Sequence, residues 1–137
     1  MAVRVYPKVV VDTNVWISGL VFGGNPKKVI ELFVDGSMVV VTSEELLSEL
    51  RRKINQRFPL FASQLPLLEA SIREKAIIVR LGSRPVAASR DHNDDKFLET
   101  ALVGRAGYII TGDKDLLVLG AYEGVKIVKP AEFLEIQ

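Results

Sequence analysis

The sequence predicts an α/β fold: a three-layer α/β/α sandwich around a central, mostly parallel sheet of about five strands. Three observations lead there. Short runs rich in Val and Ile recur along the chain, they lack polar alternation, and helical stretches lie between them. Strands apolar on both faces belong to parallel sheets covered by helices, whereas a sheet with one wet face alternates. At 137 residues the chain suits one domain, and without an internal repeat or an interdomain linker residues 1–137 are expected to form a single unit.

The first strand is expected at Lys8–Val11, and residues 25–35 read as a helix. The second strand is expected at 37–41. Thr42-Ser43-Glu44-Glu45 follows it, with Thr and Glu three residues apart as in a capping box, so a helix starts there and carries Leu46, Leu47, Leu50 and Ile54 as its apolar stripe. Pro59 and Pro66 punctuate the middle, a helix is expected over 63–76, and a weaker strand over 76–81. Residues 82–93, with Pro85 and no clear period, read as a loop. A helix over 94–105 presents Phe97, Leu98, Ala101 and Leu102 on one side and ends by Gly107; strands follow at Tyr108–Ile110 and Val125–Val128.

An apolar fraction of 48% and a charged fraction of 26% exclude a disordered chain. The absence of Cys, with a single His, excludes a disulfide framework, a thiolate nucleophile and the usual zinc sites. No uninterrupted apolar run exceeds four residues, too short for a membrane span or a signal-peptide core, so a cytoplasmic protein without a membrane partner is expected. Residues 1–90 carry 13 basic against 8 acidic side chains and residues 91–137 carry 5 against 9. That polarity suits a metal-dependent enzyme acting on a polyanion, and equally suits chance.

Parallel sheets bind ligands beyond the carboxyl ends of their strands, near the point where strand order reverses. Asp12 ends the first strand and Asp113 follows the fourth, although an Asp in either place also serves as an ordinary helix cap. Asp94 stands at the head of its helix's apolar stripe, facing the sheet, with Asp95 at a more exposed angle. Unpaired carboxylates converging at one edge repel each other, and a divalent cation resolves the conflict. Glu49 sits at the edge of its stripe, and the helical wheel does not separate it from Glu44.

These residues lie in segments that together resemble the PIN domain ribonucleases, in particular the VapC-like toxin components of toxin–antitoxin systems. The segments are Val10-Val11-Asp12-Thr13-Asn14-Val15-Trp16-Ile17-Ser18, the helix holding Glu49-Leu50, Asp91-His92-Asn93-Asp94-Asp95-Lys96-Phe97-Leu98, and Ile110-Thr111-Gly112-Asp113-Lys114-Asp115-Leu116-Leu117. The resemblance implies a PIN-like fold and catalytic roles for Asp12, Glu49, Asp94 and Asp113, with Asp12, Asp94 and Asp113 holding metal. It implies supporting roles for Asn14, Thr111 and Asp115, and leaves Asp95 as an alternative to Asp94. It also implies a homodimer and a small antitoxin partner, for which Phe58, Leu60 and Phe61 are candidate contacts.

Carboxylate oxygens without His or Cys select hard cations, hence Mg²⁺ or Mn²⁺. The expected reaction is metal-dependent hydrolysis of RNA phosphodiester bonds. Arg51, Arg52 and Lys53, with Arg57, Arg84 and Arg90 nearby in sequence, are candidates for binding RNA phosphates, unless they simply form solvated faces. His92 reads as a solvated loop residue, and Lys114 as a possible counter-ion between Asp113 and Asp115. A dehalogenase-type phosphatase would need an Asp where Asn14 stands, and a receiver-like phosphoacceptor fits poorly. A PIN-like RNA- or protein-binding module without catalysis is the remaining alternative.

Overall fold

In the computed structural model, which describes residues 5–82 and 86–137, the Val-rich opening run forms strand β1 (Lys8–Val11). The chain turns directly into helix α1 (Thr13–Val21), which the periodicity does not announce. Thr13, Val15, Trp16, Ile17 and Gly19 are all buried, so the helix shows little of the one-sided stripe that reveals a surface helix in sequence. Helix α2 (Gly24–Val34) packs closely on it, and a Cβ at Gly19 would collide with the Ile30 side chain and lie 3.0 Å from the Pro26 carbonyl carbon. Trp16 meets Phe33 of α2 edge-on at 5.4 Å. Truncating a buried Trp of this kind costs about 3–5 kcal/mol, so this contact does much to fix the helix that starts beside Asp12.

Strand β2 (Val39–Ser43) lies two residues further along than expected, because Val41, Thr42 and Ser43 pair with Ile77, Ile78 and Val79 of β3 (Ile77–Val79). The cap of helix α3 (Glu44–Arg57) shifts with it: Ser43 Oγ, rather than Thr42, accepts from the Leu46 amide. A 3-10 turn (Pro59–Gln64) leads into α4 (Leu65–Lys75). A second 3-10 turn (His92–Asp94) precedes α5 (Asp95–Val103), which stops at Gly104 short of the expected end. A Cβ at Gly104 would collide with Val41, so only Gly lets the helix end sit this close to β2. Strand β4 (Tyr108–Ile110), the short helix α6 (Lys114–Leu117), strands β5 (Ala121–Tyr122) and β6 (Val125–Val128) and helix α7 (Pro130–Glu135) complete the chain. Arg84 and Pro85 of the expected 82–93 loop lie outside the described residues.

The sheet has six strands in the order β3-β2-β1-β4-β6-β5, one more than expected. The addition is β5, two residues long and antiparallel to β6. Glu123 (φ 45°) and Gly124 (φ 84°) connect the pair through a tight turn with positive φ at both centres, which an apolar run too short for periodicity cannot signal. All other neighbours are parallel.

Alternate residues of each strand feed opposite layers. Val9, Val11, Val40 and Ile110 pack against α1, α2, α3, α4 and α7 on one face. Val10, Val41 and Ile109 pack against α5 and α6 on the other. Such side chains stabilise by roughly 1.5–3 kcal/mol each when fully buried, and because both faces are covered the strands show no polar alternation. Strand order runs outward in both directions from β1 and β4, so the reversal point lies at the carboxyl ends of these two strands. Among the described residues no helix is long and apolar enough to cross a membrane.

Candidate active site

Asp12 and Thr111 stand at this reversal point, each one residue past a central strand, and both are buried. The Asp12 amide donates to the Ile110 carbonyl at 2.9 Å and the Thr111 amide to Val128 at 2.9 Å, so the ladder itself fixes their backbones. Asp12 caps α1, Oδ1 accepting from the Asn14 amide at 3.0 Å. Its other oxygen accepts from Thr111 Oγ1 at 2.6 Å, and that hydroxyl accepts in turn from the Asp113 amide at 3.0 Å. Asp113 caps α6 by accepting from the Asp115 amide at 2.8 Å. Both aspartates are thus helix caps. Burial pushes the Asp12 carboxyl above its ordinary value, against the opposing hydrogen bonds of Thr111 and Asn14 and the charge of Lys53.

Glu49, buried on α3, meets a different environment. Lys96 Nζ lies 2.9 Å from Oε1, Lys53 Nζ 3.7 Å and Arg52 3.9 Å, while Thr13 donates to Oε2 at 2.7 Å. Burial favours the neutral carboxyl, but Thr13, Lys96 and Lys53 outweigh it and hold the pKa below the usual carboxylate value. Glu44 is instead exposed and paired with Arg73 at 2.6 Å, which separates the two glutamates that the helical wheel left equivalent. Thr13 and Lys96 were not anticipated as site residues. Their signal was position alone: Thr13 follows the strand-end Asp12, and Lys96 lies one helical step past the Asp94-Asp95 pair.

Asp94 is 7% exposed, and its Oδ2 is fully buried with no hydrogen-bond partner among the described residues. Its pKa is pushed up to about 7, first by burial and then by the neighbouring Asp113, Asp91 and Asp12 carboxylates. Asp91, Asp94 and Asp115 each offer a carboxylate oxygen, and these lie within 4.8 Å of one another, the one such acidic triad among the described residues. Asp91 had been quoted in sequence but given no role; it stands three residues before Asp94, across a single turn, and that spacing was the available signal. Asp113 shares a side-chain hydrogen bond with Asp94 and Asp12 acts on it through charge, although neither belongs to that triad.

Asp95 departs from expectation. It is as buried as Asp94, at 7%, yet its carboxylate is satisfied: Oδ1 accepts from the amides of Ala88 at 3.1 Å and Ser89 at 2.7 Å, and Oδ2 lies 3.1 Å from His92 Nδ1. Although burial opposes it, these partners lower its pKa, so Asp95 pins the preceding loop and Asp94 is left to face the acidic group. His92 stays at the surface.

Of the basic candidates, Lys53 reaches Asn14 Oδ1 at 3.3 Å and sits beside Glu49 with Arg52, whereas Arg51 turns away to Glu69 of α4 at 2.7 Å. Arg90 pairs with Asp115 at 2.8 Å, while Lys114 is exposed and joins no ion pair among the described residues. Arg84 lies outside the described residues. Mutually repelling carboxylate donors, of which Asp12 and Asp94 are buried and Asp91 is exposed, with an orphaned Asp94 Oδ2 and no nitrogen or sulfur ligand among the described residues, fit a hard divalent cation.

Comparison with known proteins bears on the same segments. The family profile described as PIN domain matches residues 8–115, from the start of β1 to Asp115. An uncharacterized protein of Methanocaldococcus jannaschii is 34% identical over 142 aligned positions, covering 93% of this chain and 90% of the relative. Among solved structures, a chain of VapBC2 from Rickettsia felis, crystallised with a DNA fragment from their promoter, is similar in fold. Its TM-score is 0.56 at 12% identity, with coverage of 88% of this chain and 96% of that one.

Proposed function

The chain belongs to the PIN domain family, and from that premise we propose that it is a Mg²⁺- or Mn²⁺-dependent endoribonuclease, the toxin of a toxin–antitoxin pair. The observation that carries the reading is the acidic group at the strand-order reversal, in which a buried Asp94 oxygen has no partner and Asp94 itself meets no ion-pairing cation among the described residues. Asp94, Asp12 and Asp113 would hold the ion, with Asp91 and Asp115 beside them. A bound divalent ion supplies positive charge for the attacked phosphate and for the attacking water. The chain's own residues prepare for that. Thr111 orients Asp12 and fixes the Asp113 amide, and Thr13 ties Glu49 to the first turn of α1. Glu49, held ionised by Lys96 and Lys53, would then be a fixed negative charge on the α3 side of the site.

RNA phosphates would be met by Arg52 and Lys53 on α3. Arg51 belongs to the same basic run but is engaged by Glu69, so it contributes only by leaving that pair. The likeness of fold to a chain of a toxin–antitoxin complex supports an antitoxin partner, as does exposed apolar surface: Leu60 is 91% exposed and Phe22 73%. Phe58, partly covered and edge-on to Phe22 at 6.0 Å, extends that surface. A homodimer in the cytoplasm completes the reading, tested by sedimentation of the purified protein.

The deciding experiment incubates a mixed single-stranded RNA pool with wild type and Asp12→Asn, side by side, in Mg²⁺, Mn²⁺ or EDTA. Metal-dependent cutting by wild type, lost in the variant, is expected. A folded wild type that binds RNA equally in EDTA and cuts none with Mn²⁺ would instead establish a binding module.

A further inference from the structure

Beside Asp113 lies an open cleft of about 560 Å³, between α1, the start of α2 and the start of α7. Asn14 and Asp113 form its inner wall, which makes it continuous with the acidic group. Ser18 and Asn25 offer a hydroxyl and an amide, Pro26 and Pro130 present flat apolar surfaces, and Lys129 brings a cation to the rim. The size is within the range of small-ligand sites, and the mixture is that of a site for a flat, hydrogen-bonding ring attached to an anion.

The charges favour this cleft, which among its lining residues carries one cation, Lys129. Lys53 and Lys96 are engaged by Glu49, and Arg90 by Asp115, so those cations are partly neutralised by the protein. Lys129 is exposed and takes part in no ion pair among the described residues; its backbone amide donates to Glu132 at 3.3 Å and its carbonyl accepts from the Phe133 amide at 3.0 Å. A phosphate at the rim would therefore meet an uncompensated ammonium, and a base could lie between the prolines with its edge toward Asn25 and Ser18.

We propose that this cleft binds one nucleotide of the RNA strand next to the bond being cut, its base held by Ser18, Asn25, Pro26 and Pro130 and its phosphate by Lys129. The proposal rests on the nuclease reading for its biological meaning, but the binding itself can be measured without catalysis. Because one end of the cleft is Asp113, the base it selects is adjacent to the reacting phosphate, which makes the cleft a determinant of cleavage sequence. Bases further along the strand do not enter it.

The test uses AMP, CMP, GMP and UMP as probes, titrated in EDTA against intact wild type, Asn25→Ala and Lys129→Ala, with binding followed by amide chemical shifts. Both substituted residues are exposed, and thermal melts confirm that the variants fold. At least one monophosphate should bind wild type, shifting the Ser18 and Asn25 amides, and each variant should weaken it by roughly tenfold, the loss of one charge-assisted or well-placed hydrogen bond. Mn²⁺ affinity should stay unchanged in both. Sequencing the ends of RNA cut by the Asn25→Ala variant should show relaxed preference at a single position beside the cut. No binding by any of the four, or binding untouched by both substitutions, overturns the assignment whether or not RNA is cut. Monophosphate binding of the expected kind beside a failure of wild type to cut RNA would overturn the nuclease reading and leave the cleft assignment standing.

Discussion

Two carboxylates of the site, Glu49 and Asp94, are each only 7% exposed and have opposite fates. Glu49 is surrounded by Lys96, Lys53, Arg52 and the Thr13 hydroxyl, and its pKa is lowered. Asp94 faces other acids, has an oxygen without a partner, and its pKa is raised to about 7. The protein supplies counter-charge for one and, among the described residues, none for the other, which is where the proposed cation would bind. Burial alone does not point to a metal ligand; burial without internal compensation is what the proposed role of Asp94 rests on.

Substitutions can break this contrast. The largest expected effect is on catalysis: Asp94→Asn should lower metal-dependent RNA cleavage by on the order of 10³-fold or more, because it removes charge from the ion's own site. Cleavage within about tenfold of wild type, measured on the same RNA pool at equal protein concentration, would show that Asp94 is not a ligand.

Next in size is the stability of the metal-free protein. Glu49→Gln leaves the Lys96 and Lys53 ammonium groups facing a neutral amide and should destabilise by about 1–3 kcal/mol in urea unfolding. Asp94→Asn should act in the opposite direction, since it relieves repulsion, stabilising by about 1 kcal/mol at pH 8 after allowance for solvent screening. Equal signs for the two substitutions would remove the distinction between them.

The smallest effect is the pH dependence. An acid whose folded pKa is raised binds its proton more tightly when folded. The metal-free fold should therefore lose stability as pH rises from the ordinary value of 3.8 toward about 7, with the penalty fully present above that. Glu49, with its pKa lowered, contributes stability above the ordinary value of 4.5 that is lost as pH falls through its folded value. Melting temperatures in EDTA at pH 5 and pH 8 should thus differ less in Asp94→Asn than in wild type; an unchanged difference would mean that Asp94 is not the group titrating.

Much of this arrangement was legible in the sequence, for identifiable reasons. β-branched runs without polar alternation betrayed a parallel sheet, and Asp12, Asp94 and Asp113 fell where such sheets bind ligands. Helix α1 was hidden because it is buried on most sides, and β5 because two residues carry no period. In the site, the separation of Asp94 from Asp95 followed the apolar stripe, but Asp95 proved no more exposed. The amides of Ala88 and Ser89 come to it through a loop whose path periodicity cannot supply. Asp91 and Lys96 stood in the right segment, yet whether a charge is compensated depends on what another element brings up to it: Lys96 of α5 meets Glu49 of α3 across 47 positions of sequence.

The most direct test of that central contrast is calorimetric titration of EDTA-treated protein with Mn²⁺, comparing wild type, Asp94→Asn and Glu49→Gln. The account predicts that Mn²⁺ binds wild type, binds Glu49→Gln within about threefold, and binds Asp94→Asn at least about a hundredfold more weakly. Mn²⁺ binding that survives Asp94→Asn and disappears in Glu49→Gln would contradict it.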